Sequence, residues 1–158
     1  MRLNDAKHRL NSIINVPLGR WMTQEQLQGI IINKGKTGQL LEIALGLNNT
    51  SNTLDFEDGE LKTNKCDRLG NPQETMFITQ ILSIVDELLV LKNFYDTRLY
   101  EKIDNLLYVP ISKDGRPDEW FFLPYRHINL NENRYTELRN QLENDYYSIC
   151  QQLKNHIE

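Results

Sequence analysis

Leu3, Ala6, Leu10 and Ile13 recur at helical spacing, and Pro17 stops the helix they predict. Thr23 and Gln26 stand three residues apart ahead of Leu27, Ile30 and Ile31, the signature of a capping box, so a second helix is expected to end at Asn33 and Gly35. A third helix is expected over residues 37–47, burying Leu41, Ala44 and Leu45. After Gly46 the pattern changes. Residues 47–53 are polar and rich in Asn, Thr and Ser, a loop by composition. Two short strands are expected around it and the dipeptide Asp58-Gly59, which favours tight hairpins. Arg68-Leu69-Gly70-Asn71-Pro72 marks another turn, and residues 75–84, with Met76, Ile78 and Leu82, read as a central strand. A short helix over 96–103, a buried strand over 106–111, a turn at Asp114-Gly115 and a strand over 120–123 follow. Leu138, Leu142, Tyr146, Ile149 and Leu153 form the apolar face of a final helix over 132–153. Helices, then strands, then a closing helix predict one α/β domain over residues 1–158, an α+β mixed sheet flanked by helices.

Composition sets limits without naming a function. The chain is 158 residues long, 39% hydrophobic and 25% charged, enough for one core in an ordinary globular protein. Apolar runs such as Ile30-Ile31-Ile32 are far too short to span a bilayer. No charged leader with an apolar stretch and cleavage site is legible, so a cytoplasmic location and no membrane partner are expected. Cys66 and Cys150 are too few for a disulfide framework or a zinc knuckle. The formal charge of −4 runs against the basic surplus of most DNA-binding domains. Five acids (Asp55, Glu57, Asp58, Glu60 and Asp67) fall within thirteen residues, and a bound cation would offset such a centre. Arg2, Lys7, Arg9 and Arg20 make the N-terminal stretch basic.

The chemistry concentrates in Leu54-Asp55-Phe56-Glu57-Asp58-Gly59-Glu60-Leu61-Lys62. Residues two apart in a strand share a face, so Glu60 and Lys62 project together while Leu61 points into the core. A hairpin between Asp55 and Glu60 brings their carboxylates side by side. Two carboxylates beside a lysine suit metal-assisted phosphodiester hydrolysis, the acids holding Mg²⁺ through hard oxygens and the lysine placing water or offsetting phosphorane charge. The same residues also suit a solvated hairpin edge. Trp120-Phe121-Phe122 fits core or sheet surface better than base stacking, Tyr146-Tyr147 fits packing of the last helix, and His127 lacks neighbouring ligands for a transition metal. Cys150 fits the role of a small apolar residue.

Four ordered segments resemble the MutH family of DNA endonucleases and its relatives among GATC-cutting type II restriction enzymes. Asn33-Lys34-Gly35-Lys36-Thr37-Gly38-Gln39-Leu40-Leu41-Glu42-Ile43-Ala44-Leu45-Gly46 is similar to the family's K-G-x-x-G-x-L-L-E-x-x-L-G segment. Gly59-Glu60-Leu61-Lys62-Thr63 resembles its V-E-L-K-T strand. Arg68-Leu69-Gly70-Asn71-Pro72-Gln73-Glu74-Thr75-Met76-Phe77 is similar to S-L-G-R-P-L-E-T-T-F, and Leu107-Tyr108-Val109-Pro110-Ile111 to L-W-I-P-V. The resemblance covers residues 14–150. It implies a restriction-endonuclease-like fold, with Asp55, Glu60 and Lys62 as the catalytic triple, Asp55 and Glu60 as Mg²⁺ ligands, and Glu42 as the helix-borne acid supporting the metal site. Lys34 becomes a candidate DNA-backbone contact, although a lysine at a helix end also suits the dipole. Two departures stand out. Four residues separate Asp55 from Glu60 where the family has six, a loss that keeps strand parity, and Asp58 is the fallback ligand. The family's further lysine before the L-W-I-P-like strand falls at Asp104, with Lys102 nearby.

The expected function is Mg²⁺-dependent, sequence-directed cleavage of double-stranded DNA at GATC-like sites, in the manner of a restriction enzyme. The resemblance also admits a repair nickase, which would need mismatch-repair proteins as partners. A third possibility is a non-catalytic DNA-binding module of a larger restriction enzyme, but such a module should have lost its acids or its lysine. Family members continue beyond the last helix, so the DNA-reading segment is expected to be missing from these residues.

Overall fold

Leu3, Ala6 and Leu10 are buried along one face of helix α1 (Leu3–Leu10), as their spacing requires. The computed structural model describes residues 1–32, 37–47 and 54–157. Lys34, the expected helix end at Asn33 and Gly35, and most of the polar loop over 47–53 lie outside them. Helix α2 (Gln24–Ile32) starts on the expected capping box. The Thr23 Oγ1 accepts the Gln26 amide at 3.1 Å and Gln26 Oε1 accepts the Thr23 amide at 2.9 Å. Leu27 and Ile30 are buried there, whereas Ile31 is exposed.

Helix α3 (Thr37–Ala44) is shorter than the expected 37–47, and Gly46 is the reason. Its φ is +75°, and the Gly46 N–H donates to Ile43 C=O at 2.9 Å while Leu47 N–H donates to Glu42 C=O at 2.9 Å. This is a Schellman termination, in which a left-handed residue after the helix satisfies its last carbonyls. Arg9 adds a third bond, its Nη1 donating to Leu45 C=O at 2.6 Å. Leu40, Leu41 and Leu45 are buried, while Ala44, expected in the core, is exposed. A Cβ on Gly46 would collide with the Arg9 guanidinium in addition to straining the left-handed backbone. Gly46→Ala is therefore expected to cost about 1–3 kcal/mol in urea unfolding. A variant as stable as the parent would mean that α3 ends by some other device.

Short strands complete a mixed α/β architecture. β1 (Glu60–Lys62), β3 (Asn105–Tyr108) and β6 (Arg126–Asn129) form one three-stranded sheet in the order β1-β3-β6. β2 (Lys65–Cys66), β4 (Ile111–Ser112) and β5 (Phe121–Phe122) form another in the order β2-β4-β5. β2 runs parallel to β4 with Lys65 opposite Ile111, and β4 antiparallel to β5 with Ile111 opposite Phe122. The strand expected over 106–111 is divided between β3 and β4, with Val109 and Pro110 in neither. β6 has no clear apolar alternation and was not expected. The central strand expected over 75–84 is absent: residues 75–80 are irregular and Ile81–Ile84 is a 3₁₀ turn. Phe77 and Leu82 are 65% and 82% exposed, so its apolar residues never line one buried face.

The chain groups into two compact units, residues 1–76 with 107–127 and residues 77–106 with 128–158. In the first, Leu3, Leu10, Leu18, Ile30, Leu41, Leu45, Phe56, Leu61, Leu107, Ile111, Trp120 and Phe122 share one core. The tandem aromatics are thus packing residues, Phe121 being half-buried. In the second, α4 (Val85–Leu89), α5 (Arg98–Ile103) and α6 (Thr136–Ile157) enclose Ile84, Leu88, Phe94, Tyr100, Ile103, Leu130, Tyr146 and Cys150. Tyr146 and Cys150, with half-buried Leu142 and Leu153, make the apolar stripe of α6. Leu138 and Ile149, expected on that stripe, are 41% and 39% exposed. Buried Glu87 receives Arg98 Nε at 2.6 Å and lies 3.4 Å from Lys92 Nζ. Burial raises its carboxyl pKa, but the hydrogen bonds from Arg98 and Lys92 together outweigh burial and leave it below the usual range. Among the described residues no helix is long and apolar enough to cross a membrane.

Candidate active site

All of the described candidate residues, Glu42, Asp55, Glu60 and Lys62, belong to the first unit. β1 turns Leu61 into the core, 8% exposed, and this sets the direction of its neighbours. Glu60 and Lys62 therefore share the opposite face, as strand periodicity requires. The Val109 N–H donates to Lys62 C=O at 2.8 Å and the Ile111 N–H to Asn64 C=O at 2.9 Å, which fixes the backbone on both sides of Thr63.

The expected hairpin takes a different form from two paired strands. Residues 54–58 bend, and the Phe56 N–H closes the turn on Gly59 C=O at 2.9 Å. Phe56, 2% exposed, anchors that turn in the core. Strand parity consequently has no bearing on Asp55; the turn itself delivers its carboxylate. Asp55 Oδ2 accepts the Leu61 N–H at 3.0 Å, and Glu60 Oε1 accepts the Asp55 N–H at 3.3 Å. The short four-residue spacing thus sets the two acids side by side, each carboxylate on a backbone N–H at or next to the other acid.

Electrostatics extends the group to four residues. Burial pushes the Glu60 carboxyl up to about 8, helped by a side-chain hydrogen bond with Asp55 and by the Asp55 charge, while Lys62 pulls it down. Glu42, half-buried on α3, is also raised, by burial first and then by Asp55, again against Lys62. Each acid feels the same negative neighbour and the same positive one. The donor set fits a hard dication: the oxygens are carboxylates, and their mutual repulsion is what a bound 2+ charge would relieve. Among the described residues no three His, Cys, Asp or Glu side chains are gathered into a chelating group. Asp55 and Glu60 alone would satisfy Mg²⁺, which retains waters and takes substrate phosphate oxygens in its remaining positions.

The other candidates have different roles. Asp58, the fallback ligand, is committed elsewhere: its Oδ1 accepts the Leu3 N–H at 2.8 Å and its Oδ2 lies 3.9 Å from Arg2 Nε. The basic N-terminal stretch is largely spent within the fold. Arg2 faces Asp58, Arg9 caps α3, and Lys7 Nζ donates to His127 Nδ1 at 2.7 Å. Lys102 and Asp104 belong to the second unit, where burial raises the Asp104 carboxyl. Sequence reading missed the roles of Arg9 and Asp58, which depend on partners 36 and 55 residues away. Only Gly46 carried a local signal, a glycine just past an amphipathic helix. The chain matches no family model and no curated protein.

Proposed function

We propose that this chain is a Mg²⁺-dependent endonuclease that hydrolyses phosphodiester bonds of duplex DNA. The observation that carries the reading is the pairing of Asp55 with Glu60 across the turn, with Glu60 raised to about 8 by its burial and by Asp55, and with Lys62 and Glu42 within electrostatic reach. A buried acid with a strongly raised proton affinity, beside a second acid and a lysine, is a functional-site signature. Asp55 and Glu60 would hold the ion, which supplies an acidified water and charge compensation at the phosphate. Lys62, on the same strand face as Glu60, directs its ammonium at the attacking water or at the charge growing on phosphorus. Glu42, on α3, would support the metal site as the helix-borne acid. The four ordered segments add the finer reading of a restriction-endonuclease-like fold and GATC-like sites.

Restriction-type rather than repair-type action is proposed, on the ground that no surface of the sequence resembles a dedicated repair-partner contact. Supercoiled, unmethylated plasmid in Mg²⁺ is expected to yield discrete fragments ending at GATC, with complete loss of cutting in EDTA; no cutting with metal binding retained would trace the loss to the DNA-reading segment expected beyond the last helix. Slow nicking alone would transfer the reading to a repair nickase. An intact plasmid in both Mg²⁺ and Mn²⁺, with no metal binding by calorimetry, would sink the assignment.

A further inference from the structure

The turn bearing Asp55 and Glu60 is tied to the start of α1 by contacts that the cleavage chemistry does not need. The Glu57 N–H donates to Met1 C=O at 3.0 Å, on one side of the turn. On the other, Asp58 accepts the Leu3 N–H at 2.8 Å and faces Arg2 Nε at 3.9 Å. Leu3 is the first residue of α1, where backbone N–H groups lack partners inside the helix. The residue in the capping position is Arg2, whose side chain has no acceptor; Asp5 accepts the Arg2 N–H at 3.2 Å, and the Leu3 N–H is taken by Asp58, 55 positions away. A carboxylate is the favoured group at that end of the helix dipole. Leu3, Ala6 and Leu10, all 1% exposed or less, hold α1 rigidly against the core.

Asp58 therefore links a fixed helix to a turn whose two flanks are the candidate ligands, Asp55 three residues before it and Glu60 two after. We propose that Asp58 is a positioning residue: by capping α1 it fixes the turn and so holds the Asp55 carboxylate on the Leu61 N–H beside Glu60. Its consequence for metal binding rests on the proposed nuclease reading; its consequence for the turn does not. Both Asp58 oxygens face the α1 end of the molecule, so the residue acts through Asp55 and Glu60 and not as a ligand.

Amide exchange followed by NMR, combined with Mg²⁺ and Mn²⁺ calorimetry, tests this. In Asp58→Ala the Leu61 amide is expected to exchange about tenfold faster while amides of α6 keep their protection. Asp58→Asn keeps an acceptor for Leu3 and is expected to retain the parent's Leu61 protection. Metal affinity should weaken about tenfold in Asp58→Ala and recover in Asp58→Asn, as for a group that orients ligands. Unchanged Leu61 exchange in Asp58→Ala overturns the proposal. Equal loss of metal affinity in both variants also overturns it, because a direct ligand would behave so. Should Asp58→Ala fail to fold, the parent protein decides: Leu3 and Leu61 are expected to exchange through one local opening with the same denaturant dependence, and separate openings overturn the link. A parent protein that binds neither ion removes the nuclease reading, while Leu61 exchange still decides the role of Asp58.

Discussion

Glu60→Gln is expected to stabilise the metal-free protein by about 2–4 kcal/mol at about pH 8 while abolishing Mg²⁺-dependent cleavage. The Glu60 carboxyl is 6% exposed, hydrogen-bonded with a second acid, and raised from 4.5 to about 8. A carboxyl whose pKa is higher folded than unfolded binds its proton more tightly in the folded state. Its contribution to stability is therefore greatest below about 4.5 and falls as pH rises through about 8, where the charge must form against burial and against Asp55. The groups facing it are Asp55 and Lys62, and Lys62 offsets only part of that cost. Glutamine keeps the Oε1 acceptor for the Asp55 N–H, offers an N–H₂ donor to the Asp55 carboxylate and never ionises. Urea unfolding at several pH values reads the result: the parent loses stability between about pH 5 and 8, and the variant loses less over that window, its remaining slope coming from other raised carboxyls such as Glu42 and Asp104. Added Mg²⁺ should raise the stability of the parent alone, because only the parent keeps both ligands. A variant that is less stable, or that keeps the parent's slope, would show that Glu60 is a settled structural acid.

Sequence separation between partners explains why some of this molecule was legible in sequence and some was not. Local patterns read well. The capping box at Thr23 and Gln26, the burial of Leu3, Ala6 and Leu10, and the shared face of Glu60 and Lys62 all follow from periods of 3.6 or 2. The pairing of Asp55 with Glu60 was also legible, because a short turn between two acids leaves few other arrangements. The strand expected over 75–84 failed although Met76, Ile78 and Leu82 share one strand parity, because the segment stays irregular to residue 80 and then coils at Ile81–Ile84, leaving Leu82 exposed. Asp58 failed for a deeper reason. Sequence marks it as one more acid in an acidic run, and its partner is the first amide of a helix that the chain has long since left. The end of α3 lies between these cases: Gly46 is a local signal, but Arg9 arrives from α1. Contacts of high sequence separation, such as these, carry no periodic trace.

Lys62→Ala is expected to lower the rate of cleavage about 10³-fold at saturating Mg²⁺. Its ammonium acts at two places that can be separated. It lowers the proton affinities of Glu60 and Glu42, so its removal lets protons compete better with the metal for the acids. It also stands on the Glu60 face of β1, where, on the proposed nuclease reading, charge at phosphorus would need a cation that does not have to reorganise. The first effect is one of binding. Raising the pH should recover metal affinity in the variant, because both acids shed their protons as the pH climbs past the raised pKa that each keeps without Lys62. The second effect should remain, since no change in the acids replaces the missing charge. Single-turnover cleavage measured across pH, beside metal titrations, distinguishes the two. A rate that recovers fully at high pH would confine Lys62 to tuning the acids. A rate untouched at any pH would remove it from the chemistry, and with it the strongest reason for reading this carboxylate pair as a nuclease centre.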